Sequence, residues 1–354
     1  MNSIESISGE FTLTSSAQFG VPFPIKVQDS ITIYIDNTPR LVGYVDSVDV
    51  DYDGESHNLT IMGRDRTADV IDSTFGQETS FSYPITLEQV TRQILSNIGI
   101  RNILVKSNLN IAAFTQNDGI IKAQVGQSLF SVIDEYCRKR QVLATTDGLG
   151  NILFTQSSNT PIKTILYNLV GNGGNIVSSR ARYNWSERYN KYTCFSQKNG
   201  SSQVNYSIPG QTATPTDFNG AATDGAVRST RQLNFLAEKS SDSNDCINRA
   251  KWQANWNRAH SFVYIVEVNG NSALSDGFVW RPNLVVKIND DFAAFNGELL
   301  ISRVVYKYGL HGSTTEMMCV AKDSYTLQAE QDLRNSQDRL QEGNSNRYVL
   351  PAGA

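Results

Sequence analysis

The chain is poor in the residues that carry most metal and nucleophilic chemistry. It has 3 histidines and 4 cysteines among 354 residues. His57, His260 and His311 lie far apart, with no HxxxH or HExxH spacing, so no helix-borne zinc site is written here. Cys137, Cys194, Cys246 and Cys319 form no CxxC or CxxH pair. They are too few to staple a chain of this length, and they read as reduced thiols of a bacterial or cytosolic assembly compartment. Basic excess is absent too. The formal net charge is -4, whereas a protein that grips a nucleic-acid backbone unaided usually carries surplus lysine and arginine. No stretch approaches 18 continuous apolar residues, so no membrane span is expected. The opening MNSIESISGEFT lacks a basic segment followed by an apolar run, so no signal peptide is expected. There is no GxSxG elbow. The carboxylate pairs Asp134-Glu135 and Asp290-Asp291 are sequence neighbours, which diverge on a helix or strand rather than converge on a substrate. The expectation is a chain with no catalytic, cofactor-binding or metal-binding residue.

What the chain does have is patterned hydrophobicity. Hydrophobic residues make up 40% and charged residues 19%, the balance of a folded protein with room for two or three domains. Residues 10–63 alternate with a period of two. Ile31, Ile33 and Ile35 form one run, Val48, Val50 and Tyr52 a second, and Leu59 and Ile61 a third, with turn signals at Asp36-Asn37 and Asp53-Gly54. This predicts an antiparallel meander with one buried face. The period changes at residue 86. Leu87, Val90, Ile94 and Ile98 share a helical stripe, with Thr86 and Gln89 placed to form a capping box and Gly99 to end it.

The stretch SLFSVIDEYCRKRQVLATTDGLGNILFT, residues 128–155, packs a cysteine and several charges into one corner. Ser128 is placed as an N-cap. Leu129, Val132, Ile133 and Tyr136 make an apolar stripe with Cys137 beside it, and Arg138, Lys139 and Arg140 fill the last turn, where cations complement the helix dipole. Two short apolar runs then flank the loop Asp147–Asn151, a predicted hairpin. The corner reads as structural, with the basic cluster as cap and subunit contact. Further on, ILYNLV reads as a strand and GNGGN as a flexible joint. QTATPTDFNGAATDGA reads as a long exposed loop. A helix is predicted over 242–259, and strands over 261–268, 283–288, 298–308 and 314–322. The tail, 327–354, is polar and partly helical by pattern.

Three motifs carry a competing functional reading. DVDYDG, residues 49–54, matches the first half of a calcium loop, but its twelfth position is Thr60 rather than glutamate and its flanks are strands. GNGGN lacks the GK[ST] ending of a phosphate loop. Trp252 and Trp256 lie on one helical face and would suit an aromatic platform, although two such large apolar surfaces more simply pack a helix on a sheet.

The order and spacing of several segments resemble one family. These are ITIYIDNTPRLVGYVDSVDV with LTIMGRDRTADVIDST, then GQSLFSVIDEYCRKRQVLATTDGLGNILFT, then CINRAKWQANWNRAHSFVYIVEV, FVWRPNLVVKI and GELLISRVVYKYGLHGSTTEMMCV. From about residue 8 to 326 the chain resembles the baseplate hub proteins of contractile-tailed, Mu-like bacteriophages. The resemblance implies an α+β, mainly β fold with two tail-tube-like antiparallel β-barrel domains and a small α/β insert. The boundaries expected are 1–75 for the first barrel, 76–175 for the insert, 176–326 for the second barrel and 327–354 for the tail. It also implies a structural virion protein, not an enzyme, acting as a homotrimer that adapts a three-fold spike to a six-fold tube. The partners implied are the central spike protein, the tail tube protein or its initiator, baseplate wedge proteins and the tape-measure protein, with DNA passing through the lumen unbound. Its place would be the virion baseplate, reached from the host cytoplasm during assembly. No inserted hydrolase domain is evident. The alternatives are the hub of a phage-derived injection machine, such as a tailocin or type VI secretion spike, and a cell-wall carbohydrate hydrolase.

Overall fold

A computed structural model of the chain describes residues 1–16, 24–52, 57–118, 122–171, 173–196, 218–236, 243–309, 312–322 and 324–325. They form two compact units. The first takes Met1–Gln156 and Tyr189–Ala254, the second Ser157–Arg188 and the chain from Asn255 onward. His311, the turn Asp53-Gly54, residues 211–217 and the whole polar tail, 327–354, lie outside the described residues; the rest of the segment expected as an exposed loop instead holds the strand Phe218–Thr223.

The first unit opens with the expected meander. Strands β1 (Glu10–Ser16), β2 (Ser30–Ile35), β3 (Thr38–Tyr52) and β4 (His57–Asp65) pair antiparallel in the order β1-β4-β3-β2. Phe11, Leu41, Val45, Leu59 and Ile61 form its core, flanked by Ile31, Ile33 and Val48. The alternation misleads at the end of β3. Val50 is 62% and Tyr52 80% exposed. The register slips by a residue between Val45 and Ser47, as at a β-bulge. Beyond it β3 runs past β2, which pairs with it only as far as Tyr44.

Next come α1 (Leu87–Asn97), β5 (Val105–Ser107), α2 (Leu129–Lys139), β6 (Leu143–Thr146) and β7 (Ile152–Thr155). The capping box forms as predicted: Gln89 N donates to the Thr86 hydroxyl and Thr86 N to the Gln89 carbonyl. Ile98 falls outside α1 and is 37% exposed. Leu87, Val90 and Ile94 of α1 share one core with Leu129, Val132, Ile133, Tyr136 and Cys137 of α2. β6 and β7 form the predicted hairpin, and β5 adds to β7 in parallel.

Strands β8 (Pro161–Leu169), β9 (Gly173–Gly174) and β10 (Ile176–Tyr183) belong to the second unit. β11 (Lys191–Ser196), β12 (Phe218–Thr223) and β13 (Gln232–Leu236) make a small sheet in the first. Helix α3 (Ser243–His260) follows the predicted span, and its Cys246 and Ala250 pack on Tyr192 and Cys194 of that sheet. Gly220 of β12 permits the approach: a Cβ there would lie 2.3 Å from Ile247 N.

The second unit is completed by β14 (Phe262–Asn269), β15 (Val285–Asp290), β16 (Phe295–Gly309) and β17 (Gly312–Ala321). Its strands run in the order β9-β8-β15-β16-β17-β14-β10. The outermost strands, β9 and β10, are separated in the chain by Asn175 alone, so this sheet curls back on itself. Two expectations are corrected here. GNGGN is the seam of a curled sheet rather than a free joint. ILYNLV, placed in the insert by the boundary at 175, pairs in parallel with β15. That partner lies over 100 residues away, beyond the reach of local pattern. The sheets are also not purely antiparallel, since β8–β15, β5–β7 and β11–β13 are parallel pairs.

Candidate functional site

The groups that sequence reasoning weighed for chemistry are spent on structure. His260 Nδ1 lies 2.7 Å from Trp256 O, and its ring stacks on that indole. The side chain of Trp256 also meets Tyr325 edge-on, at 5.4 Å between ring centres. Trp252 lies under the guanidinium of Arg249, at 4.9 Å. The two tryptophans are half-buried helix residues and form no open platform. Asp49 and Asp51 occupy strand β3, and among the described residues no group of His, Cys, Asp and Glu could hold a metal ion. No described helix is long and apolar enough to cross a membrane. All four cysteines are buried and none is in a disulfide. Burial pushes the Cys137 and Cys319 thiols well above their usual range, the opposite of an activated nucleophile.

Asp290 and Asp291 diverge as expected, and each holds a loop. Asp290 is 1% exposed. Its carboxylate accepts from the Tyr264 hydroxyl at 2.5 Å, the Ser179 hydroxyl at 2.7 Å, and the backbone N–H groups of Phe292 and Ala293. Burial works against its charge, but these donors outweigh it and hold the carboxyl below the usual range. Asp291 instead accepts from Val170 N at 3.0 Å. Asn175 fastens the seam nearby: it exchanges two hydrogen bonds with the Tyr167 backbone and donates from Nδ2 to Ile165 O at 2.8 Å.

The corner at 128–155 is likewise structural. Ser128 does not cap α2 with its side chain; its hydroxyl donates to Ile71 O at 3.2 Å. Arg138 pairs with Asp134 at 2.8 Å, one turn back on the helix. Lys139 Nζ donates to Asp118 O at 2.5 Å. Arg140 pairs with Asp118 at 2.8 Å, donates to Ala112 O and Ala113 O, and lies 4.2 Å from the centre of the Phe114 ring. Burial disfavours the Asp118 charge, but Arg140 and the Thr115 N–H and hydroxyl hold its pKa down. The basic cluster therefore pins the 112–118 loop. Asp147 organises the hairpin loop, accepting from Lys106 Nζ at 2.6 Å and from the N–H groups of Leu149 and Asn151.

A cleft of about 320 Å³ in the first unit is lined by Tyr44, Asp46, Arg64, Asp65, Asp69 and Asp72. Arg64 bridges Asp46 and Asp72 at 2.7 Å each, and Asp65 is enclosed by Ser8, Gly9 and Thr67 donors. Asp46, Asp65 and Asp72 have partners of their own, while burial and then the nearby Asp72 charge hold the Asp69 carboxyl above its usual range.

What remains available is backbone and apolar surface: the overhanging end of β3, the free side of β10, and exposed Val170 and Phe292 at 83% and 88%. The described residues thus form a mainly β fold of curled sheets with open strand edges. Residues 1–65 match the family model for the Mu phage baseplate assembly protein GpP-like N-terminal domain, and residues 67–156 match that for the second domain of gp44-like baseplate hub proteins. Over residues 1–65 and 67–156 the chain is therefore similar to two successive domains of Mu-like phage baseplate proteins. It is 24% identical over 338 residues to baseplate hub protein gp44 of Escherichia phage Mu, spanning 94% of this chain and 86% of that one. The crystal structure of the prophage MuSo2 43 kDa tail protein from Shewanella oneidensis has the same fold, with a TM-score of 0.75 and 24% identity over 91% of this chain and 93% of that one. A component of the E. coli type VI secretion system is a more distant fold relative, with a TM-score of 0.52 and 12% identity over 89% of this chain and 69% of that one. The family models and the Mu and MuSo2 relatives are those of baseplate and tail proteins.

Proposed function

We propose that the chain is the central hub of a contractile phage baseplate, a homotrimer that adapts a three-fold spike to a six-fold tail tube and lines part of the DNA path. The observation that carries this is the presence of two curled β sheets in one chain, one in residues 10–65 and one seamed at Asn175. If each acts as a tube-like element, three copies offer six, which is what a three-fold object needs to meet a six-fold ring. In this reading the elements correspond broadly to the spans 1–75 and 176–326, with an α/β insert between them. The tail, 327–354, contacts a neighbour. The spike, the tube or its initiator, the wedge proteins and the tape-measure protein are the partners, and assembly takes place in the host cytoplasm.

A second reading, the hub of a phage-derived injection machine, draws on the fold likeness to the type VI component. One experiment addresses both. Light scattering of the purified chain should give three times the 39.2 kDa monomer mass. Cryo-electron microscopy of particles should then place three-fold density for it at the tail tip below a DNA-filled head. Headless particles carrying the trimer favour the second reading. A monomer in solution with no three-fold density in either particle rejects both.

A further inference from the structure

Among the strand edges with no described strand neighbour, two have side chains that match. The first is the end of β3. β4 pairs with it to its end, but β2 stops at Tyr44, so Ser47–Asp51 has no strand on its other side among the described residues. The second is β10. It is the last strand of its sheet and pairs with β14 alone along Ser178–Tyr183. Bare edges of this length template pairing with another chain.

The faces agree as well as the edges. On β3, Val48 and Val50 lie opposite Ile61 and Leu59 on the apolar face, while Asp49 and Asp51 project to the other side. On β10, Ala181 and Tyr183 lie opposite the core residues Tyr264 and Phe262, while Arg180 and Arg182 project outward. Both acids and both arginines are exposed. We propose that the β3 edge of one copy pairs antiparallel with the β10 edge of the next, with Val50 opposite Ala181. That register sets Asp49 opposite Arg182 and Asp51 opposite Arg180. On the other face it sets Val48 opposite Tyr183. Direct cross-strand pairs of opposite charge and of apolar groups stabilise a sheet, and a one-residue slip would oppose charge to apolar side chain. The two edges differ, so the contact is heterologous, the kind that closes into a ring. The occupant is therefore a second copy of this chain. The inference rests on the trimer reading and supplies its contact.

Charge exchange tests it. Asp49→Arg with Asp51→Arg should weaken self-association about tenfold or more, and so should Arg180→Asp with Arg182→Asp. The four substitutions together should restore it. Wild-type association should also weaken as salt is raised. A cross-link gives an independent readout, helped by the burial of all native thiols. Val50→Cys and Ala181→Cys chains, mixed and oxidised, should form the hetero-linked dimer faster than either alone forms its own. A trimer indifferent to both charge reversals, or folded variants that the fourfold exchange fails to rescue, overturns this contact and leaves the trimer intact. A wild-type chain that never associates overturns the trimer reading and this contact with it.

Discussion

Asp290 shows how one buried carboxylate can organise a region. Its donors come from β10, β14 and the loop after β15, so a single charge joins the seam of the second unit to the turn that displays Phe292. The Asp290→Asn variant keeps the size but loses one acceptor and all the charge. It should destabilise by roughly 2–4 kcal/mol, the range for breaking a buried charge-assisted network. The pH dependence has a definite sign. The folded pKa is depressed below the unfolded value of about 3.9. The unfolded chain therefore binds the proton first as pH falls, and the stabilisation, complete above pH 4, is lost through the folded pKa. Asp118 and Asp147 are shifted in the same direction and add to the slope. Urea melts between pH 6 and 2.5 should show wild type losing stability below pH 4 and Asp290→Asn losing less. Parallel slopes for the two would contradict this account.

At the scale of elements, the two helices of the first unit make a controlled comparison. Both begin at a hydroxyl residue, but only Thr86 caps. Thr86→Ala should cost about 1 kcal/mol. Ser128→Ala should cost under about 0.5 kcal/mol, since its hydroxyl reaches only the Ile71 carbonyl. Equal losses in chemical denaturation would mean that Ser128 caps after all. Gly220→Ala should be worse than either, because the new methyl would strike the α3 backbone at Ile247. Loss of near-ultraviolet tryptophan dichroism ahead of global melting would report α3 lifting from its sheet. The elements themselves were legible. Periodicity located α1, α2, α3 and the last four strands of the second unit to within a few residues, but not β9 or β10. It misjudged Val50 and Tyr52, because a bulge and an overrun decide burial there and neither leaves a mark on alternation. It also left β8 in the wrong domain, because a parallel pair needs no turn signal. The seam was missed for a related reason. Asn175 acts through hairpin hydrogen bonds to Tyr167 and Ile165, 8 and 10 residues back, and in sequence it is only one more polar residue in a glycine-rich run. The edges proposed to assemble were half visible. Asp49, Asp51, Arg180 and Arg182 alternate in sequence, but only the strand order shows that, among the described residues, the end of β3 and β10 each have a strand on one side alone.

At the scale of the whole molecule, the charge balance bears on the proposed hub role, in which DNA passes through the lumen. A net charge of -4 gives DNA no general attraction, and each phosphate contact that was made would add sequence-independent affinity and drag. The corner that first suggested a basic patch does not supply one. Arg138 and Arg140 are paired with Asp134 and Asp118, and Lys139 donates to a backbone carbonyl. If the proposed strand pairing forms, Arg180 and Arg182 are neutralised in the same way when the ring closes, so assembly would remove two of the most exposed cations from the surface. The expected outcome is a trimer that leaves duplex DNA unshifted in gels at about 100 mM salt, where basic DNA-binding proteins still hold it. The variant carrying Asp49→Arg and Asp51→Arg should do the opposite. It fails to close and gains two cations beside two already free, so it should retard the same duplex, with the shift disappearing as salt is raised. A wild-type trimer that shifts DNA under these conditions would mean that phosphate contacts survive assembly, and that passage depends on something other than a neutralised surface.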